Sequence, residues 1–198
     1  MITKTRRLRL GWRTPFPELR SQPARPIPPP ALPLRITRPT AILIDKSQSM
    51  GRTITLGQRV LELVSPLCQA GLHAYAFDTM AYAIRRNAAD AGRWDGVMSR
   101  IVPGGFKACG AAVECMRMNR ERVEQLVLIT DQRENASPTF VEAYQTYAQA
   151  MGVLPRVRII RPLDSSGWLE HRCYKAGVPF ETLDEEADEL SSLIPLLV

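Results

Sequence analysis

Ala41-Ile42-Leu43-Ile44-Asp45-Lys46-Ser47-Gln48-Ser49-Met50 is the stretch that decides how this chain is read. Its four leading apolar residues predict a strand buried on both faces, the kind found in parallel sheets. That strand runs directly into an acid and two serines at alternate positions. One carboxylate and two hydroxyls at a strand end make a set of hard oxygen ligands. Mg²⁺ takes such ligands in octahedral geometry at roughly 2.0–2.1 Å. Asp45, Ser47 and Ser49 are therefore candidate ligands for Mg²⁺ or Mn²⁺.

Outward from this stretch, strand-like runs alternate with helical patterns from Pro39 onward. Strands are expected at Thr40–Ile44, Leu72–Phe77, Tyr82–Arg85, Gln125–Thr130, Val157–Ile160 and Phe180–Leu183. Helices are expected at Leu56–Ala70, Ala88–Ile101, Ala111–Arg120, Pro138–Met151, Gly167–Ala176 and Leu190–Leu197. In the first helix Val60, Leu61, Val64 and Leu67 share a face, with Gly71 as its stop. Ser137 is the expected N-cap of the fourth, with Pro138 at its first position. Such alternation predicts an α/β fold: a Rossmann-like, doubly wound, mostly parallel sheet with helices on both faces. Ligands of such sheets bind beyond the carboxyl ends of the strands, at the topological switch point. Asp131 follows the Leu126–Ile129 run as Asp45 follows its own, so the fold is expected to bring both acids to one edge.

The 198 residues suit one domain with an extension, and a domain of this size hides roughly 70% of its unfolded surface. The net charge of +6 is concentrated at one end. Lys4, Arg6, Arg7, Arg9, Arg13, Arg20 and Arg25, against Glu18 alone, supply all of it within residues 1–25. The remaining residues balance, which argues against a basic nucleic-acid-binding face on the domain. Nine of the 16 prolines lie in residues 1–40, and Pro26-Ile27-Pro28-Pro29-Pro30 favours extended polyproline II. Residues 1–36 are thus expected to be a basic, proline-rich arm and residues 37–198 the domain. Cys68, Cys109, Cys115 and Cys173 form no C-x-x-C pair and are expected to be reduced, mostly core thiols. No apolar run reaches the roughly 18–20 residues of a membrane span, and no signal-peptide segment follows the arginines. A cytoplasmic protein without membrane contact is expected. The arginine-rich terminus also fits a mitochondrial presequence, though Pro15 and Pro17 interrupt any helix there.

Four pieces of this sequence together resemble a von Willebrand factor A domain. They are Ile44-Asp45-Lys46-Ser47-Gln48-Ser49-Met50, Ala76-Phe77-Asp78-Thr79, Pro103-Gly104-Gly105-Phe106-Lys107-Ala108-Cys109-Gly110, and Leu128-Ile129-Thr130-Asp131 with Glu134-Asn135. The last three are most similar to the A domain of Ro/TROVE RNA-binding proteins and their stand-alone bacterial relatives. The resemblance covers about residues 39–198. It implies a MIDAS-like (metal-ion-dependent adhesion site) edge, with Asp45, Ser47 and Ser49 as ligands and Asp131 acting through water. It also implies that an acidic side chain of a protein partner completes the metal's shell.

The family's second loop supplies a threonine, and the matching position here is Lys107. An ammonium has three donors and no acceptor, so it cannot ligate Mg²⁺. Within about 4 Å of a divalent ion the repulsion is roughly 8 kcal/mol at an effective dielectric near 20. Two arrangements remain. Lys107 swings outward and leaves a weakened metal site, or its ammonium takes the cation's place, pairing with Asp45 and Asp131 and bonding Ser47 and Ser49. Lys46 is expected at the rim, Asp78 as a turn cap, and Glu134 and Asn135 as shapers of their loop. His73 and His171 are isolated, with no triad in prospect.

Three functions compete. A non-enzymatic protein-binding module would use this edge, with the arm as a second contact; without metal, an exposed Lys107 would pair directly with a partner's acid. An RNA-associated, Ro-like ribonucleoprotein component would use the arginines of residues 1–36 to release counterions, with Trp12 stacking on a base. A phosphoryl-transfer enzyme would need a second acid two residues past the nucleophile, where Ser47 stands, or a phosphate-binding glycine loop, which is absent. The oligomeric state is not legible.

Overall fold

Ala41 to Ile44 form the middle of a six-stranded sheet, and their side chains divide between two cores. A computed structural model describes residues 34–48, 50–86, 93–162, 165–185 and 187–198, with the backbone alone described at 187–189. The strands are β1 (Thr40–Asp45), β2 (Leu72–Phe77), β3 (Ala81–Ala83), β4 (Gln125–Ile129), β5 (Arg156–Arg161) and β6 (Phe180–Asp184). Their order is β3-β2-β1-β4-β5-β6, and only the β2–β3 pair is antiparallel. The chain runs outward in both directions from β1, so the switch point lies between β1 and β4.

Among the described residues six helices cover the sheet: α1 (Gly51–Val64), α2 (Asp95–Met98), α3 (Ala111–Met118), α4 (Phe140–Met151), α5 (Trp168–Lys175) and α6 (Ala187–Leu197). Successive strand residues point to opposite faces. Ala41, Leu43, Leu126 and Leu128 therefore pack with Met116, Phe140, Tyr147 and Leu169 of α3, α4 and α5. Ile42, Ile44, Val127 and Ile129 pack instead with Val60, Leu61 and Leu193 of α1 and α6. Each such side chain contributes roughly 1.5–3 kcal/mol by leaving water. This two-sided burial explains why β1 and β4 read as unbroken apolar runs. The doubly wound α/β fold expected from sequence is the fold observed.

Several boundaries differ from the sequence reading. α1 begins at Gly51 and ends at Val64, not at Ala70. Pro66 lacks an N–H and its ring would clash with the carbonyl four residues back, so the apolar period continues to Leu67 without a helix. Cys68 instead bridges to Ile36, which is fully buried and donates its amide to Leu67 O at 2.9 Å. The strand expected at Tyr82–Arg85 is the three-residue β3. Of the helix expected at Ala88–Ile101, only Asp95–Met98 is helical among the described residues, and residues 87–92 lie outside them. α4 is capped by Thr139, not Ser137, in a reciprocal box with Glu142. Residues 1–33 of the expected arm also lie outside the described residues.

Candidate functional site

Three loops meet beyond the carboxyl ends of β1 and β4. The register sets this up, because Ile44 is paired with Ile129 and the next residues, Asp45 and Thr130, are neighbours on one face. Thr130 Oγ1 donates to Asp45 Oδ2 at 2.7 Å, and the Ser47 amide donates to Asp45 Oδ1 at 2.9 Å. Asp45 is wholly buried. The Thr53 hydroxyl, in the first turn of α1, sits on the Asp45 and Met50 carbonyls and ties the loop to the helix.

The second loop, residues 102–110, is held from both sides. Gly104 N donates to Lys46 O at 2.8 Å, and Gln48 N to Gly105 O at 3.3 Å. Gly105 has φ +79°, and a Cβ there would lie 2.9 Å from Asp78 Oδ2. Only glycine passes both tests at no cost. Lys107 N donates to Asn135 Oδ1 at 2.7 Å, while the amides of Asn135 and Ala136 donate to Lys107 O at 3.1 and 3.0 Å. Asn135 thus fixes the backbone from which the Lys107 side chain springs. Gly110 starts α3, where a Cβ would lie 2.3 Å from Thr139 O.

The third loop follows β4. Asp131 Oδ1 accepts the Arg133 amide at 3.0 Å. Gln132, fully buried at φ +72°, clasps Glu170 of α5: Gln132 Nε2 donates to Glu170 Oε1, and Glu170 N to Gln132 Oε1 at 3.2 Å. The Glu134 side chain is buried and accepts the Phe140 amide at 2.6 Å, with Arg172 at 3.3 Å. Burial pushes its carboxyl above the ordinary value, against the pull of the Phe140 amide and Arg172.

Lys107 joins these loops. Its Nζ lies 2.9 Å from Asp45 Oδ2 and in direct contact with Asp131 Oδ1, and only 5% of its side chain is exposed. The side chain points inward and is not available as an exposed partner for an incoming acid, contrary to one sequence expectation. It does not reach Ser47 either, whose Oγ is buried with no hydrogen-bond partner among the described residues. Ser49 lies outside the described residues.

Lys46 departs from its expected place at the rim. It turns inward onto Asp78 at 2.5 Å and stacks over the Tyr82 ring at 4.7 Å. Burial raises the Asp78 carboxyl, but Lys46 and the Met80 and Thr79 amides outweigh it and hold it below its usual value. The Met80 amide bonds Asp78 Oδ1 at 2.9 Å, the turn-capping role expected of it. Cys109, buried beneath the cluster, has its thiol pushed up by burial and by the Glu134 and Asp45 charges.

The described donors do not fit a divalent ion. Asp45, Ser47 and Asp131 supply oxygen, but an ammonium without a lone pair stands between the two carboxylates. Among the described residues no group of three or more His, Cys, Asp or Glu could hold a metal. Outside this buried cluster the surface is open. A cleft of about 420 Å³ is lined by Ser47, Gln48, Phe106, Lys107, Asp131 and Arg133 among others. Phe106 is 68% exposed on its wall, and Arg133 is exposed beside it.

Comparison with solved structures places the fold. A von Willebrand factor type A protein from Catenulispora acidiphila is 14% identical over 81% of this chain and 42% of its own, with a TM-score of 0.61. The vWF domain of the type V pili tip protein Mfa5 from Porphyromonas gingivalis is 11% identical over 82% of this chain and 96% of its own, at 0.57. The chain has a von Willebrand factor A-like fold. The RO (RSR) protein of Deinococcus radiodurans is similar at 15% identity over 83% of this chain and 35% of its own, with a TM-score of 0.54. This A-like chain therefore spans less than half of the Catenulispora and Deinococcus chains. No protein-family model and no curated protein sequence matches it. No helix among its described residues is long and apolar enough to cross a membrane.

Sequence reasoning brought Asp45, Lys107 and Asp131 to one edge but missed Thr130, Phe106 and Arg133. Thr130 was legible only from the β1–β4 register. Phe106 carried a signal, an aromatic flanked by glycine and lysine in a polar loop.

Proposed function

We propose that this chain is a non-enzymatic protein-binding module that docks its partner on the loop edge beyond β1 and β4. Phe106 carries the reading: a large apolar side chain, 68% exposed, on the wall of a cleft whose floor is a buried ionic cluster. Aromatic and arginine anchors dominate the energetics of protein interfaces. Phe106 supplies the apolar anchor, and the exposed Arg133 supplies the charge that an acidic side chain of the partner would meet. Lys107 acts from within, by holding the cleft's shape. The cluster offers no activated nucleophile, since the Cys109 thiol is buried and its pKa is raised. Four free cysteines agree with a reducing, cytoplasmic setting.

The test is to pan a displayed peptide library on the full chain. Peptides that pair an acid with an apolar residue are expected to be enriched. Phe106→Ala and Arg133→Ala, both at exposed positions, should each weaken them by about tenfold while leaving the melting curve unchanged. Peptides that bind all three proteins equally would refute the docking edge.

The charge of residues 1–25 favours a second reading, an RNA contact through the arm. Deletion of residues 1–33, which spares the buried Ile36, should then abolish a steep salt dependence of RNA binding. Binding unchanged by the deletion would remove the arm from consideration.

A further inference from the structure

We propose that the Lys107 ammonium is a built-in cation that fills the place of a divalent ion, so that this edge holds its shape without metal. The ammonium spans the carboxylates that end β1 and follow β4, at 2.9 Å from Asp45 Oδ2 and in contact with Asp131 Oδ1. Its backbone is pinned to the third loop by three hydrogen bonds with Asn135 and Ala136. An outward swing would strip the wholly buried Asp45 of the only cation it meets among the described residues, and a buried carboxylate left uncompensated is strongly destabilising. The inward position is therefore the one that the protein's own charges enforce.

A second, independent feature is the Ser47 hydroxyl beside this cluster, 4% exposed and without a hydrogen-bond partner among the described residues. Buried hydroxyls are rarely left so. The ammonium, bonded to the two carboxylates, does not reach these lone pairs, and they are what a hard cation takes. The oxygen donors of a cation site thus remain, and one residue bars the ion. Replacing that residue by a hydroxyl-bearing side chain removes the positive charge and adds a ligand. Asp45 and Asp131 then present two negative charges with none to balance them.

The inference is independent of the docking reading, because its readout is a metal titration and not partner binding. The full chain and Lys107→Thr are titrated with MnCl₂ by calorimetry, and their melting is followed with and without MgCl₂. The wild type should show no saturable Mn²⁺ binding and no shift in melting with Mg²⁺. Lys107→Thr should melt lower without metal, recover with Mg²⁺, and bind Mn²⁺ at least about a hundredfold more tightly than the wild type, a small part of the repulsion removed. Asp45→Asn added to Lys107→Thr should abolish the gain.

Saturable Mn²⁺ binding by the wild type that Asp45→Asn removes would overturn the inference. So would the absence of binding in both proteins, since the ammonium would then not be standing in a competent cation site. A Lys107→Thr protein that folds only with Mg²⁺ meets the expectation. If it folds in neither condition, Lys107→Ala is titrated in its place and judged by the same outcomes.

Discussion

Removing the Lys107 charge while keeping its length isolates what the ammonium contributes to stability. Lys107→Met conserves the stem and deletes the cation. At 2.9 Å the attraction to Asp45 alone is about 6 kcal/mol at an effective dielectric near 20. Part of that offsets the cost of bringing both charges out of water, so the net loss is smaller than the Coulomb figure. Breaking a buried pair from one side costs about 3–5 kcal/mol, because the remaining charge is stranded. Here two carboxylates are stranded, Asp45 fully buried and Asp131 with 14% of its side chain exposed. A loss of about 4 kcal/mol is therefore expected in urea unfolding at pH 7, equivalent to about 8–16 °C in Tm for a chain of this size. The double variant Lys107→Met/Asp131→Asn removes one of the stranded charges and should recover about half. The single and double variants with Asp131→Asn close a thermodynamic cycle, whose coupling should exceed about 1 kcal/mol. A Lys107→Met loss below about 1 kcal/mol, or strict additivity in the cycle, would refute the idea that the ammonium braces the loops.

Other consequences are open to simpler measurements. Gly105→Ala combines a positive φ with a 2.9 Å approach to Asp78, and should cost about 1–3 kcal/mol in denaturant unfolding. Gly110→Ala meets the Thr139 carbonyl at 2.3 Å, a backbone atom with no freedom to retreat, and should cost more than Gly105→Ala in the same experiment. The Glu134 carboxyl is held above its ordinary value by burial, so the folded state binds its proton more tightly than the unfolded state does. Its contribution is therefore favourable at low pH and is lost as pH rises past the ordinary carboxylate range. The stability of Glu134→Gln relative to wild type should accordingly increase with pH across that window, and a flat difference would contradict it. Burial raises the Cys173 thiol to about 12 and the Cys109 thiol well above its usual value. Neither should react with a thiol reagent at pH 8 until urea unfolds the domain, whereas early labelling of Cys109 would place it outside the core.

The sequence was most legible where the physics is local. β1 and β4 are buried on both faces and read as near-continuous apolar runs, and the structure moves the ends of β1, β2, β4 and β5 by no more than one residue. Legibility failed where a distant segment decides. α1 stops at Val64 because Pro66 breaks it, and residues 67–70 then have a use, bonding to the backbone of Ile36. At α4 the sequence pointed to Ser137, before Pro138, and the cap is instead Thr139. There Glu134, from the loop after β4, also accepts the Phe140 amide.

The site shows the same division. That acids would gather at one edge follows from a parallel sheet and was readable in Asp45 and Asp131. How they would be neutralised was not, because Lys46, alternating with Asp45 and Ser47 along an extended strand, was expected at the rim and spacing alone left Lys107 undecided. Three adjacent strands, β2, β1 and β4, each end at or just before an aspartate: Asp78, Asp45 and Asp131. Two lysines answer them, Lys46 on Asp78 and Lys107 on Asp45 and Asp131 together. Both assignments depend on the glycine loop. It passes close over Asp78 at Gly105, bonds the Lys46 carbonyl through Gly104, and delivers Lys107 two residues later. Had that loop carried a side chain at 105, Asp78 would be displaced from Lys46 and the root of Lys107 would shift with it. The ionic pattern of the edge is thus set by a backbone path, and a backbone path is what a one-dimensional motif does not record.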